Sequence, residues 1–324
     1  MNVSSIGIAG AVAGGIVLLG AGAAFGGAMK LFNSVIPRQT ELRVDMKEMA
    51  DEATWEEYRK MIYPAKEWLM AQPLEPVSIK ARDGITLKGH YLASEEAGKR
   101  LVICLHGYTS NGLSNFCAMA QYYQNMGFDM LIVDHRAHNE SEGDYAGFGI
   151  LDRFDCMKWI EYAVSRFGDD VEIMLHGISM GASTALMTLG FENLPKQVKC
   201  VVSDCAFTSP YDVFAHVVKR DYKMQPFPMM NFCDIICQKK AGYRFRDYST
   251  LTALKNNDRP VLLIHGEKDN FVPVWMTDKN YEVCASFKEK VIVKNAGHGA
   301  SYYENQKQYE DAVTAFAEKW IPKK

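Results

Sequence analysis

The chain has 324 residues, enough for one large domain or two small ones, and it can bury a core without disulfide or metal staples. Lys and Arg number 36 against 39 Asp and Glu, a net charge of −3, which leaves no basic footprint for nucleic acid as a partner. Hydrophobic residues at 48% and charged residues at 23% exclude disorder, collagen and coiled coil as descriptions of the whole.

No charged side chain occurs from Asn2 to Met29, and the run Ile6 to Met29 is Gly, Ala, Ile, Val, Leu, Phe and Met. Its length suits a bilayer core, so residues 1–30 read as a single-pass transmembrane helix, with residues 6–29 as the membrane contact. A cleaved signal peptide would carry a basic start and a shorter apolar stretch of about 7 to 15 residues, although Ala21-Gly22-Ala23 resembles a cleavage site. Gly10/Gly14 and Gly22/Gly26 are small-xxx-small pairs that permit close helix packing. Lys30, Arg38, Arg43 and Lys47 all follow the apolar run, which puts the remainder on the cytoplasmic side, with export as the alternative. Eight cysteines are too sparse for a disulfide scaffold and agree with a reducing compartment. Cys233 and Cys237 lie one helical turn apart but lack a second Cys/His pair at zinc spacing.

Residues 31–75 form a connecting segment, in which 41–71 has helical spacing with Trp55, Tyr58, Ile62 and Leu69 on one face. The main domain covers 76–324. It opens with a hairpin, where apolar and polar residues alternate from Val77 to Leu92 on both sides of Asp83-Gly84. Short apolar runs follow at Leu101–Leu105, Met130–Val133, Glu172–Leu175, Val198–Val202, Val261–Ile264 and Val291–Val293. Helical stretches alternate with them at Asn115–Met126, Ile150–Arg166, Met180–Leu189, Thr277–Ser286 and Glu304–Trp320. Strands apolar on both faces, alternating with helices, predict an α/β domain with a mostly parallel sheet covered on each side. The rhythm breaks once, between Asp204 and Val261, where residues 210–248 predict a short helical cap.

Chemistry concentrates at the strand ends. Gly177-Ile178-Ser179-Met180-Gly181 falls between a predicted strand and a predicted helix, the context of a nucleophile elbow. A serine hydroxyl needs a base, and the base needs an orienting carboxylate. Asp269 follows the strand Val261–Ile264, His298 follows Val291–Val293, and the order Ser179, Asp269, His298 suits this architecture. The backbone N–H groups of Met180 and of Tyr108, in His106-Gly107-Tyr108, are the candidate oxyanion donors.

Together these residues resemble the α/β-hydrolase superfamily from about Val77 to Trp320. Asp134-His135-Arg136-Ala137-His138-Asn139-Glu140-Ser141-Glu142-Gly143 is similar to that family's D-x-R-x-H-x-x-S-x-G stretch, and HGEKDNFVP to its acid loop. The resemblance is to the serine-aminopeptidase-like branch of membrane-anchored bacterial serine hydrolases, whose members are mostly esterases, lipases or uncharacterised hydrolases. It implies the α/β-hydrolase fold. Asn139 departs from the His-Gly of many relatives and puts the local loop geometry in question.

Plainer readings stand beside these. Ser179 could be a helix N-cap, Asp269 a turn residue and His298 a loop histidine, and Asp204 is a rival triad acid. His106 and His265 suit loop shaping, while Asp134, His135 and His138 suit a structural hydrogen-bond net rather than a metal site. Met224 and Phe227 in the cap, with Phe271, are candidate acyl-binding residues, although a Met and Phe cluster is more often cap core. The expected function is hydrolysis of small carboxylic acyl esters through an acyl-enzyme, without cofactor or metal and with activity rising through about pH 6 to 7.5. A peptidase or aminopeptidase using the same triad and a non-catalytic membrane-tethered binding protein are the alternatives.

Overall fold

The computed structural model describes residues 22–39, 52–95 and 99–323. The Asp83-Gly84 turn joins Glu75–Lys80 (β1) to Thr86–Leu92 (β2) as an antiparallel pair. Arg100–Leu105 (β3), Asp129–Val133 (β4), Glu172–Ile178 (β5), Val198–Asp204 (β6), Val261–Gly266 (β7) and Lys288–Val293 (β8) complete one sheet. Its order is β1-β2-β4-β3-β5-β6-β7-β8, antiparallel from β1 to β4 and parallel from there on. The predicted mostly parallel sheet is therefore present. Strand order reverses around β3, so the chain leaves β3 and β5 on opposite sides of a crevice at their carboxyl ends, where open α/β sheets bind ligands.

Both sheet faces are apolar because both are covered. Along β3, Val102 and Cys104 point into the cluster containing Phe116 and Tyr123 of Gly112–Asn125 (α3, the third helix among the described residues) and Val313 and Phe316 of a C-terminal helix, Gln306–Trp320. Leu101, Ile103 and Leu105 point the other way, toward Trp159 and Ile160 of Asp152–Phe167 (α4) and Ala182 and Leu186 of Met180–Thr188 (α5). The period of two in a strand makes this division obligatory. Among the described residues two helices precede α3: residues 22–35 (α1) and Glu52–Met70 (α2), whose Trp55, Tyr58 and Leu69 are buried as their spacing predicts. After β6 come Pro210–Tyr222 (α6) and Met229–Ala241 (α7), which form the cap, followed by Thr250–Leu254 (α8) and Trp275–Val283 (α9). The predicted helix Glu304–Trp320 is present as Gln306–Trp320 (α11), preceded by a separate single turn, Ser301–Glu304 (α10). The break falls at Asn305, whose side chain accepts from Gln308 N at 3.0 Å and caps α11.

The N-terminal reading needs revision. Residues 6–21 of the expected span, like 41–51 of the connecting segment, lie outside the described residues. Residues 22–29 belong to α1, whose Ala24, Ala28 and Phe32 are buried with the cap. Among the described residues no helix is long and apolar enough to cross a membrane. Small side chains are used here for packing on protein: a Cβ on Gly27 would stand 2.9 Å from Met229 Sδ, while Gly22 and Gly26 face open space. Beyond α1, Arg38 N donates to Asp144 O at 2.7 Å and Ala146 N to Ile36 O at 2.8 Å. The Arg38 guanidinium also donates to the carbonyls of Ser141 and Asn139. This strap fastens the N-terminal segment to the loop before α4.

Candidate active site

Ser179 stands between β5 and α5 with φ +55°, a strained conformation for a residue with a Cβ, which costs on the order of 1–3 kcal/mol. Two bonds over-determine it. Ser179 N donates to Asp204 O at 2.8 Å, and Ser179 O accepts from Ser183 N at 2.9 Å. The flanking glycines are required by close approach. A Cβ on Gly177 would lie 2.3 Å from Gly181 C, and one on Gly181 would lie 1.9 Å from Leu105 O at the end of β3. The elbow is thus wedged against the strand whose exit loop carries Gly107 and Tyr108.

Ser179 Oγ is 2.8 Å from His298 Nε2, and His298 Nδ1 is 2.7 Å from Asp269 Oδ2. With Nδ1–H donating to the carboxylate, Nε2 is left to accept from the serine hydroxyl. Asp269 Oδ1 also accepts from the N–H groups of Phe271 (3.0 Å) and Val272 (2.8 Å). Burial disfavours the Asp269 charge, but His298 and His265 outweigh it and hold the carboxyl well below the usual range. Asp204, the rival acid, takes a hydrogen bond from Ser301 Oγ at 3.2 Å, and burial pushes it up to about 6. Its carboxylate is turned toward Ser301, and the imidazole Nδ1 is met by Asp269.

Met180 opens α5, so its N–H is among the first-turn amides without a partner inside the helix. Gly107 brings the other loop close, since its Cβ position is 3.5 Å from Ser179 Cβ. The Tyr108 side chain turns away, its hydroxyl donating to Val35 O at 2.6 Å and its ring packing on Phe148. Of the three acyl-binding candidates, Phe271 lies beside the site, its ring 5.0 Å from that of His298. Met224 and Phe227 stand at the tip between α6 and α7, Phe227 with 72% of its surface exposed. The buried cap core is built from Val213, Phe214, Met230 and Cys233.

All eight cysteines are buried and unpaired. Cys205, Asp269 and His298 present ligand atoms within 4.8 Å of one another. Burial, reinforced by Asp204 and Asp269, keeps that thiol protonated, and both His298 nitrogens are engaged, so the donor set suits a triad with a packed thiol better than a metal.

Residues 114–324 match the prolyl oligopeptidase family. The uncharacterized protein YqkD of Bacillus subtilis is 30% identical over 233 residues, covering 72% of this chain and 75% of that one. The chain belongs to the prolyl oligopeptidase family. As a member it is a serine hydrolase of the α/β-hydrolase type, and solved structures share its fold. An esterase of Pyrococcus furiosus superposes with a TM-score of 0.61 at 21% identity, over 78% of this chain and 94% of the esterase. An acylaminoacyl peptidase of Pyrococcus horikoshii gives 0.59 at 19% identity, over 79% of this chain and 43% of the peptidase. A more distant relative, an uncharacterized membrane protein of Saccharomyces cerevisiae, is 22% identical over 68% of this chain and 71% of its own length.

Several supporting residues of this family member escape a reading of spacing alone. His265 Nε2 is 3.2 Å from Asp269 Oδ2 and 2.7 Å from Val272 O, and its Nδ1 is 2.7 Å from Thr277 Oγ1, so it buttresses the acid loop from behind. Burial opposes its protonation, yet the hydrogen bond and charge of Asp269 raise its pKa. The His-Gly pair before the acid loop was the available signal, and it suggests only loop shaping. Asn115 Oδ1 accepts from Gly107 N at 2.7 Å and holds the loop beside Ser179. The departure at Asn139 also has its reason: the residue sits at φ +44°, which asparagine tolerates, and its amide donates to Asp134 Oδ2 at 2.7 Å.

Proposed function

We propose that the chain hydrolyses carboxylic esters through an acyl-enzyme on Ser179. His298 takes the hydroxyl proton as the serine oxygen attacks the carbonyl, and returns it to the leaving alkoxide. Water, deprotonated by the same imidazole, then releases the acid and restores the serine. Asp269 keeps Nδ1 protonated and stabilises the imidazolium, and the amides of Met180 and Tyr108 hold the oxyanion. The carrying observation is the continuous chain from Ser179 Oγ through His298 to Asp269, at 2.8 and 2.7 Å. It also speaks against a non-catalytic scaffold, which has no use for a strained serine held on an oriented imidazole.

The choice of ester over amide rests on the rim. An aminopeptidase needs a carboxylate to hold the substrate's α-ammonium. On α6, Asp212 is hydrogen-bonded to Thr208 at 2.6 Å, and Asp221 is paired with Arg220 at 2.5 Å. Phe271 beside the imidazole suits an apolar acyl group. The family membership favours the second reading, a peptidase using the same three residues. Fluorophosphonate labelling of wild type against Ser179→Ala tests the nucleophile. Nitrophenyl esters of graded length beside aminoacyl anilides separate the two readings: turnover of the anilides alone would reverse the choice, and a Ser179→Ala protein that still labels would end it.

A further inference from the structure

The cap and the α1 helix packed on it combine exposed apolar side chains with an excess of positive charge. Of the nine large apolar side chains exposed among the described residues, Phe25, Tyr222, Met224, Phe227 and Ile235 lie on α1 or the cap. Residues 210–248 hold seven basic side chains against four acidic ones, a net of +3 in a chain whose total is −3. Several of these side chains gather where α1 packs on α7. The Phe25 ring meets Phe232 edge-on at 5.9 Å, and Phe232, Ile235 and Lys239 recur along one stripe of α7. Lys240 Nζ lies 5.6 Å from the Phe32 ring. Contacts of Phe25 with Phe232 and of Phe32 with Lys240 mean that α1 and α7 run in the same direction. Residue 22 therefore emerges at the end of α7 joined to the tip that carries Lys223, Met224 and Phe227, and upstream of it the sequence has no charged side chain back to Asn2.

Aromatic and Met side chains interleaved with lysines, beside the entry of a long uncharged apolar segment, fit the headgroup region of a bilayer, where one apolar signal and one basic signal act together. We propose that this face docks on an anionic lipid bilayer, with Phe25, Met224 and Phe227 at headgroup depth and Lys223 and Lys239 against lipid phosphates. The docked tip lies next to the chemistry. Arg220, in the last turn of α6, donates to Asn270 O at 2.8 Å, and Asn270 follows Asp269. On the ester hydrolase reading, on which this consequence rests, docking presents the site to acyl esters held in the membrane.

The test uses the full chain with Phe227→Cys carrying an environment-sensitive dye, the native thiols being buried. It is mixed with vesicles of brominated phosphatidylcholine, with and without phosphatidylserine. The dye is expected to be quenched in the anionic vesicles, whereas the same dye at Lys196→Cys, just before β6 at the amino ends of the strands, stays unquenched. Each lysine near an anionic surface favours docking by about fivefold, so Lys223→Gln with Lys239→Gln lowers the partition coefficient into anionic vesicles about 25-fold. Turnover of a vesicle-borne fluorogenic ester falls in parallel, and that of a short soluble ester does not. An unquenched dye at residue 227 in anionic vesicles, whether or not the protein is bound to them, overturns the proposal. Quenching without turnover of either ester leaves docking standing and counts against the hydrolase reading instead.

Discussion

Gly181→Ala isolates the elbow from the rest of the site. The added Cβ would lie 1.9 Å from Leu105 O, 2.4 Å from Leu105 C and 2.7 Å from His106 O, all backbone atoms of the central strand and its exit. A carbon does not approach such atoms within 3.0 Å, so α5 and the end of β3 must part by about 1 Å. Overpacking of this kind costs about 1–3 kcal/mol, and here toward the upper end because no side chain can swing aside. The same movement shifts Ser179 against the Gly107-Tyr108 loop, and a misplacement of about 1 Å lowers turnover about 100-fold. Fluorophosphonate labelling rate and a urea denaturation curve measure the two effects on one sample. Gly26→Ala is the control, because its Cβ meets nothing within 4 Å. If Gly181→Ala labels at the wild-type rate, the elbow is not what positions the nucleophile.

Asp269→Asn should lower kcat about 10⁴-fold with little change in KM, since the amide favours the wrong imidazole tautomer. A drop under tenfold would point to another acid, Asp204 first. Tyr108→Phe removes only the bond to Val35 O, so a denaturation midpoint should record a loss of about 1–3 kcal/mol while ester turnover stays within a few-fold; a 100-fold loss of turnover would give the side chain itself a role in the chemistry. His176 is buried between Tyr123 and Tyr309, and burial depresses its pKa to about 3. The unfolded chain therefore takes up this proton first as pH falls below about 6.5, and stability drops from there toward pH 3, by about 2 kcal/mol at pH 5. Comparing denaturation at pH 7.5 and pH 5, His176→Gln should shrink the pH effect by that amount, and an unchanged difference would contradict it. Phe271→Ala should raise KM for longer acyl chains where Met224→Ala does not, as a chain-length series of nitrophenyl esters would report; equal effects would move the acyl site to the cap tip.

Read alone, the sequence determined the strands and the tight turn that carries Ser179. Leu101–Leu105 is apolar at every position because the sheet is covered on both faces, and Gly177 and Gly181 are needed wherever a turn this tight meets a strand. These are local demands of backbone and burial, and local composition records them. What only tertiary structure decided is which distant groups meet. Asp204 ends one strand and Asp269 follows its neighbour, and the two look alike in sequence, but the first turns to Ser301 and the second to His298. The buttress from His265 and the tie from Asn115 depend on loops brought together from across the chain. Residues 22–29 show the same limit, since a stretch of Gly and Ala suits lipid or a helix surface equally, and the neighbour that distinguishes them, Met229, lies some two hundred positions away.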